Sequence, residues 1–261
     1  MTKFSIITVF HNQSLNFRGN NAAVIYLESA PSDDYMSQWA ADFNQPATTF
    51  IWPEKEGHYQ VRWFAPDSEI GLCGHGSLAV AAFLKDFKDE EKAVLHYREG
   101  HLKVGFDKGA YFLWINPIEV IDHSPAPAGL EDALGLKVKD YFTTSNKDLV
   151  LVESEEALKK MKPNFAALAQ LEPFGYTITA PGKEVDFVSR TLVPKVQQLE
   201  DHATGSSHAI LTPFWSERLM KTEMSALQLS PRGGAFHCGF HMNQVLLKGE
   251  ALILGRGEIV D

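Results

Sequence analysis

One local design occurs twice in this chain. Arg62-Trp63-Phe64-Ala65-Pro66 is a strand-like run ending at a proline, and a loop leads from it to Leu72-Cys73-Gly74-His75-Gly76-Ser77. Arg190-Thr191-Leu192-Val193-Pro194 is followed at a similar remove by Asp201-His202-Ala203-Thr204-Gly205-Ser206-Ser207. Each glycine-bearing turn runs into an apolar, helix-like segment. A strand, a loop and a helix start that appear twice are most simply explained by two alike domains. The start of a helix leaves several N–H donors unpaired and carries partial positive charge. Small residues there let an anionic oxygen approach closely, so two such ends facing one cleft would bind a small acid.

Strand signals dominate the rest of the chain. Tyr59–Phe64, Ala93–Tyr97, Leu102–Phe106, Tyr111–Ile115 and Asp186–Thr191 are strand-like, and many such runs are joined by short polar or glycine-bearing links such as Arg98-Glu99-Gly100-His101 and Asp107-Lys108-Gly109, as expected for antiparallel hairpins. Asn243–Leu247 and Leu252–Arg256 read as two further strands. Ser32 and Ser154 are placed to cap helices. Leu78–Leu84 is apolar on every side, which suits a helix enclosed by a barrel. Its counterpart, Ala209-Ile210-Leu211, is expected to bend or end at Pro213. These signals predict a first domain over 1–117 and a second from 118 onward.

Charge and cysteine content narrow the function classes. With 261 residues and 44% hydrophobic content, the chain can bury a core or two. A formal net charge of -9 argues against a general affinity for nucleic acid or anionic membranes, which need a basic face. Met1-Thr2-Lys3 runs straight into the strand-like Phe4–Val9, and no apolar run is long enough to span a bilayer. Only Cys73 and Cys238 are present, far apart, which fits a reduced, cytoplasmic compartment. His237, Cys238 and His241 form a His-Cys-x-x-His without a second ligand cluster, so no metal is expected.

Several motifs in order carry a family likeness. Phe10-His11-Asn12, Arg18-Gly19-Asn20-Asn21-Ala22-Ala23-Val24, Asn44-Gln45-Pro46-Ala47-Thr48-Thr49-Phe50, Arg62–Pro66 and Leu72–His75 resemble those of the phenazine-biosynthesis PhzF-like isomerases. Asp186–Arg190, Glu200–His208 and Arg232-Gly233-Gly234 resemble that family's later motifs. The resemblance implies an α+β fold similar to diaminopimelate epimerase: two similar domains, each a mostly antiparallel barrel-like sheet around a central helix. It further implies a final strand within 251–261 that returns to the first domain, leaving 118–250 as the second, together with proton transfer on carbon without a cofactor, an active site between the domains, and a homodimer. In relatives a proton-shuttling glutamate stands where this chain has Ala47, and a methyl cannot move a proton. His202 stands where relatives usually have proline, and Asn21 where the family turn has another.

Each candidate residue has a functional and a structural reading. Asp201, ahead of a helix start, is either an N-cap or, by family position, an acid/base carboxylate shielded from water. His75 at the other helix start is expected to be held toward its neutral form, hydrogen-bonding an oxyanion or passing a proton, unless it is a packed histidine. Gly74, Gly76, Ser77, Thr204, Gly205, Ser206 and Asn20 are expected to contact the substrate. Cys73 could be a thiolate base, since a helix start lowers a thiol's pKa. Its counterpart is Thr204, so a symmetric two-thiol racemase is disfavoured against a buried structural cysteine. A cofactor-free dehydratase or racemase using Cys73 and Thr204, and a non-catalytic small-acid binding protein, remain open beside the isomerase. No Gly-x-Ser-x-Gly elbow surrounds Ser77 or Ser206, so hydrolase chemistry lacks its usual signature.

Overall fold

The computed structural model describes residues 2–260. The chain forms two compact units, Met1–Ile115 with Leu246–Asp261, and Asn116–Val245. In chain order the first elements are β1 (Thr2–His11), β2 (Asn20–Tyr26), α1 (Asp33–Phe43), β3 (Thr48–Lys55), β4 (His58–Phe64), β5 (Glu69–Ile70), α2 (Gly74–Lys88), β6 (Lys92–Tyr97), β7 (Gly100–Asp107) and β8 (Ala110–Ile115). Then come β9 (Val120–Ser124), α3 (Leu130–Leu134), β10 (Asp140–Thr144), β11 (Asp148–Leu151), α4 (Glu155–Lys160), α5 (Phe165–Leu168), β12 (Tyr176–Pro181), β13 (Phe187–Val193) and β14 (Leu199–Asp201). The chain ends with α6 (Gly205–Leu219), β15 (Glu223–Gln228), β16 (Gly234–His241) and β17 (Gln244–Ile259).

In the first unit the strands pair into a closed ring. β1 lies antiparallel to β2, β3 joins β2 in parallel after the α1 crossover, and β4 returns antiparallel to β3. β6 joins β4 in parallel after α2, and β7 and β8 follow as hairpins. β17 pairs with both β8 and β1, which closes the barrel. Within the ring runs α2, whose residues from Gly74 to Leu84 are all buried. A helix that is apolar all round has no polar face to show to water, and the ring hides it on every side. The β7–β8 link is a two-residue turn with Lys108 and Gly109 both at positive φ (50 and 87), the handedness that matches strand twist. Outside the ring, α1 is capped by Ser32 and buries Met36 and Ala40 against Phe50 and Phe64.

The second unit repeats this wiring. β9, β10 and β11 are antiparallel neighbours, β12 joins β11 in parallel, and β13 is antiparallel to β12. β14 folds back on β13, β15 joins β13 in parallel after α6, and β16 follows antiparallel. Ser154 and Asn164 cap α4 and α5, which occupy the crossover that α1 makes in the first unit. Register confirms the duplication residue by residue. Phe50 lies opposite Arg62 as Ile178 lies opposite Arg190, and Phe64 opposite Glu69 as Leu192 lies opposite Glu200.

Two expectations change. The helix after Ser207 does not end at Pro213 but continues to Leu219. Proline lacks the N–H that would bond the Ala209 carbonyl, and that carbonyl instead accepts from the Ile118 N–H at 3.1 Å. The two strands read near the C-terminus are one, β17, which runs from Gln244 to Ile259; its ladder with β1 takes up Glu250–Ile259 and carries local bulges at Ile6/Ile7 and Val9/His11.

Candidate functional site

In the first unit the loop after β5 delivers the chain to the start of α2 inside the barrel. Cys73 is its N-cap, with an extended backbone and a thiol that accepts from the Gly76 N–H at 3.4 Å. The Cys73 Sγ also lies 3.4 Å from His75 Nδ1, and both residues are buried. Ser77 Oγ donates to the Cys73 carbonyl at 2.7 Å and ties the first turn together. No acidic residue stands in this turn to cancel its positive end. Ala47 is fully buried just ahead of β3, and its carbonyl accepts from the Ala23 N–H. Asn20, at the start of β2, is also fully buried. Gly19 before it has a φ of 60, and a Cβ there would lie 2.1 Å from the Val9 carbonyl oxygen, so only glycine fits.

In the second unit β14 ends at Asp201, which is half-buried, and Thr204 is the N-cap of α6. Asp201 is therefore not the N-cap, and neither does the Thr204 side chain cap the helix. Gln228 at the end of β15 instead braces the N-cap residue and leaves the first-turn amides of α6 uncapped. Its Oε1 accepts from the Thr204 N–H at 2.8 Å, and its Nε2 donates to the Asp201 carbonyl at 2.5 Å and to Thr204 Oγ1 at 3.1 Å. Ser230 Oγ adds a bond to the His202 carbonyl at 2.7 Å. Burial lowers the pKa of His202, partly offset by neighbouring Asp201. The first turn of α6 also lacks acidic residues. In contrast, α1, α3 and α4 each carry two acids in their first turns. The four-residue α5 lacks them as well.

The duplicated register pairs these two starts position by position: Cys73 with Thr204, Gly74 with Gly205, His75 with Ser206, Gly76 with Ser207, and Ser77 with His208. The pairing explains several side chains. Ser207 Oγ lies 2.9 Å from both Thr177 Oγ1 and Thr191 Oγ1, joining the three hydroxyls. In the first unit the matching residues are Thr49, Trp63 and Gly76. A Cβ on Gly76 would lie 2.7 Å from Thr49 Oγ1 and 2.9 Å from Trp63 Cδ1, so the indole has taken the space of the missing hydroxyl. Thr49 Oγ1 and Trp63 Nε1 are left without hydrogen-bond partners among the described residues. His208 Nδ1 donates to the Thr204 carbonyl at 2.8 Å, as Ser77 does to Cys73.

Sequence reasoning missed two residues. Gln228 shows no local signal, because a glutamine at a strand end reads as surface. Lys147, in the turn between β10 and β11, reads the same way, yet it is only 7% exposed and its Nζ donates to Ser206 Oγ at 2.9 Å. Among the other sequence candidates, Cys238 is fully buried while its strand neighbour His237 is exposed on the opposite face. His237 and His241 both pair with Glu223. Among the described residues no group of three or more His, Cys, Asp or Glu side chains could hold a metal ion. No described helix is long and apolar enough to cross a membrane.

Known proteins supply the comparison. A family model described as "Phenazine biosynthesis-like protein" matches residues 7–257. An uncharacterized isomerase from Pseudomonas aeruginosa is 38% identical over 245 residues, covering 93% of each chain. The crystal structure of a phenazine biosynthesis protein of the PhzF family from Enterococcus faecalis aligns with a TM-score of 0.90 at 35% identity, covering 99% of each chain. A hydroxyproline epimerase from Agrobacterium vitis shares the fold, with a TM-score of 0.67 at 10% identity over 98% of this chain and 91% of that one.

Proposed function

Since this chain belongs to the phenazine biosynthesis-like family, we propose that it is a cofactor-free isomerase moving a proton on a carbon of a small, carboxylate-bearing metabolite. The observation that carries the reading is the pair of buried helix starts left without acidic residues, where α1, α3 and α4 each carry two. Amides at Gly74, Gly76, Gly205 and Ser206 bind the carboxylate or the enolate oxygen that forms as the proton leaves. Ser77, Thr204 and Asn20 complete the substrate contacts. His75 and Asp201 are the acid/base groups: one takes the proton from carbon and the other returns a proton to the new position, so the substrate and product have the same atoms. Ala47 presents no ionisable group where the resemblance places a glutamate, so the transfer rests on these two. A cytoplasmic homodimer completes the proposal, and light scattering on the eluted protein measures the assembly.

The test is wash-in of deuterium from heavy water. Wild-type protein incubated with a panel of small carboxylic acids gains carbon-bound deuterium in at least one of them, and Asp201→Asn and His75→Asn lose the exchange by about a hundredfold or more. Exchange that survives unchanged in both variants rules the assignment out. Buried Ala47 supports one rival, a small-acid binding protein of the same fold. It predicts no exchange in any wild-type sample and turnover only after Ala47→Glu.

A further inference from the structure

Lys147 is a buried ammonium group on a turn that looks exposed in the sequence. Its position is built, not incidental. Thr144 Oγ1 donates to the Lys147 carbonyl at 2.8 Å, the Asn146 N–H donates to Thr144 Oγ1 at 3.0 Å, and the Thr144 N–H donates to Asp148 Oδ1 at 3.0 Å. Tyr141 holds the other oxygen of Asp148. The stem then passes Gly175, where a Cβ would lie 3.4 Å from Lys147 Cγ. Nζ donates to Asn146 Oδ1 at 2.7 Å and to Ser206 Oγ at 2.9 Å.

Hydrogen-bond chemistry makes this last contact directional. An ammonium group has donors and no acceptor, so Ser206 Oγ must accept from it, and the single Ser206 hydroxyl proton is free to serve as a donor elsewhere. A cation beside that oxygen also draws electrons from the O–H bond and strengthens it as a donor. Placing a cation at the start of a helix is costly by itself, since both are positive. A carboxylate bound there is attracted by both. The duplicated register sharpens the contrast. Ala22 and Ala47, both fully buried, stand in the first unit where Lys147 and Gly175 stand in the second. The first helix start thus carries a titratable imidazole beside apolar walls, and the second carries a hydroxyl beside a cation.

We infer that Lys147 is a positioning residue, whose ammonium group fixes Ser206 as a hydrogen-bond donor to the substrate's carboxylate at the start of α6. The inference rests on reading that helix start as an acid-binding site. Its role is binding of the anion, with proton transfer left to His75 and Asp201.

The test uses oxalate as the probe and the intact chain. Oxalate titrated into wild-type protein shifts the backbone amide signals of Gly205, Ser206 and Ser207 to saturation. Lys147→Met weakens that binding by about tenfold or more, the effect of losing a charge-assisted bond. Ser206→Ala weakens it to a similar degree, and the double variant is no weaker than either single one, since the lysine acts through the serine. Lys147→Arg recovers part of the affinity, which also separates loss of charge from loss of fold should Lys147→Met be poorly folded. Undiminished oxalate binding in Lys147→Met, additive losses in the double variant, or no shift at those amides in the wild type would each overturn the inference. The outcomes separate from those of the proposed isomerase. Coupled oxalate binding without deuterium wash-in leaves Lys147 in this role and removes the reaction, whereas wash-in without oxalate coupling does the reverse.

Discussion

His208 is fully buried, its ring stacked on Phe236 with centroids 3.6 Å apart and close to Phe187. Burial pushes its pKa from 6.5 down to about 4, only partly countered by the Thr204 carbonyl that its Nδ1–H bonds. In the unfolded chain the ring protonates at its ordinary value, so the unfolded state takes up the proton first as pH falls. The neutral ring's contribution is therefore intact above about pH 6.5 and is lost progressively down to about pH 4, amounting to about 3 kcal/mol by then. His208→Ser installs the residue that the first unit uses at this position. It lowers stability at pH 7 by opening a cavity, yet it flattens the decline between pH 6.5 and 4.5 measured by urea unfolding at each pH. An equally steep decline in the variant would refute this account. Histidine at this position was visible in the sequence, but not that it is a cap behind the helix start. Cys238, fully buried and pushed up to about 12, is likewise an inert thiol rather than a ligand.

The duplicated strand-and-helix element contains an arginine clasp that the repeat only half reveals. Arg62 makes a two-pronged bond to Glu69 at 2.7 and 2.8 Å, and Arg190 makes one to Glu200 at 2.8 Å on both prongs. The arginines stand at matching places and were legible as such. Their partners were not, because the second loop is longer and shifts the glutamate's spacing, although each glutamate is equally far ahead of its helix's N-cap. Only the tertiary setting separates the two clasps. Side-chain exposure is 29% and 44% for the first pair but 10% and 8% for the second, where Arg190 also donates to the Met161 carbonyl. Removing one member of the buried pair strands the other charge, so Arg190→Met is expected to cost about 3–5 kcal/mol. Arg62→Met, in a solvent-screened pair, is expected to cost about 1 kcal/mol or less. Chemical denaturation of both variants checks the ranking, and equal losses would contradict it.

At the scale of the molecule, the last strand decides whether the first barrel exists. β17 leaves the second unit and pairs with both β1 and β8, the strands that would otherwise be two open edges. A chain ended after Val245 therefore exposes two unpaired strand edges and the walls around α2. It is expected to lose amide-exchange protection along β1, β8 and α2 and to aggregate, while β12, β13 and β15 retain theirs. Protection of β1 equal to that of the full chain would show that the ring closes without β17. This long return connection joins residues almost a whole chain apart, which no local pattern in the sequence can encode.

By itself the sequence determined the elements: the duplicated strand and helix start, the wholly apolar α2, the capping serines and the two-residue hairpins. Those are set by short-range periodicity, backbone φ and the chemistry of neighbouring residues, all of which act within a few positions. The tertiary structure alone decided which polar groups were taken out of water and what they met there. It put Lys147 against Ser206, braced the α6 N-cap residue with Gln228, carried α6 through Pro213 on the Ile118 N–H, and left the Arg62 clasp wet and the Arg190 clasp dry. Burial and the identity of a partner depend on residues distant in the chain, and burial sets the strength of a charge or a hydrogen bond.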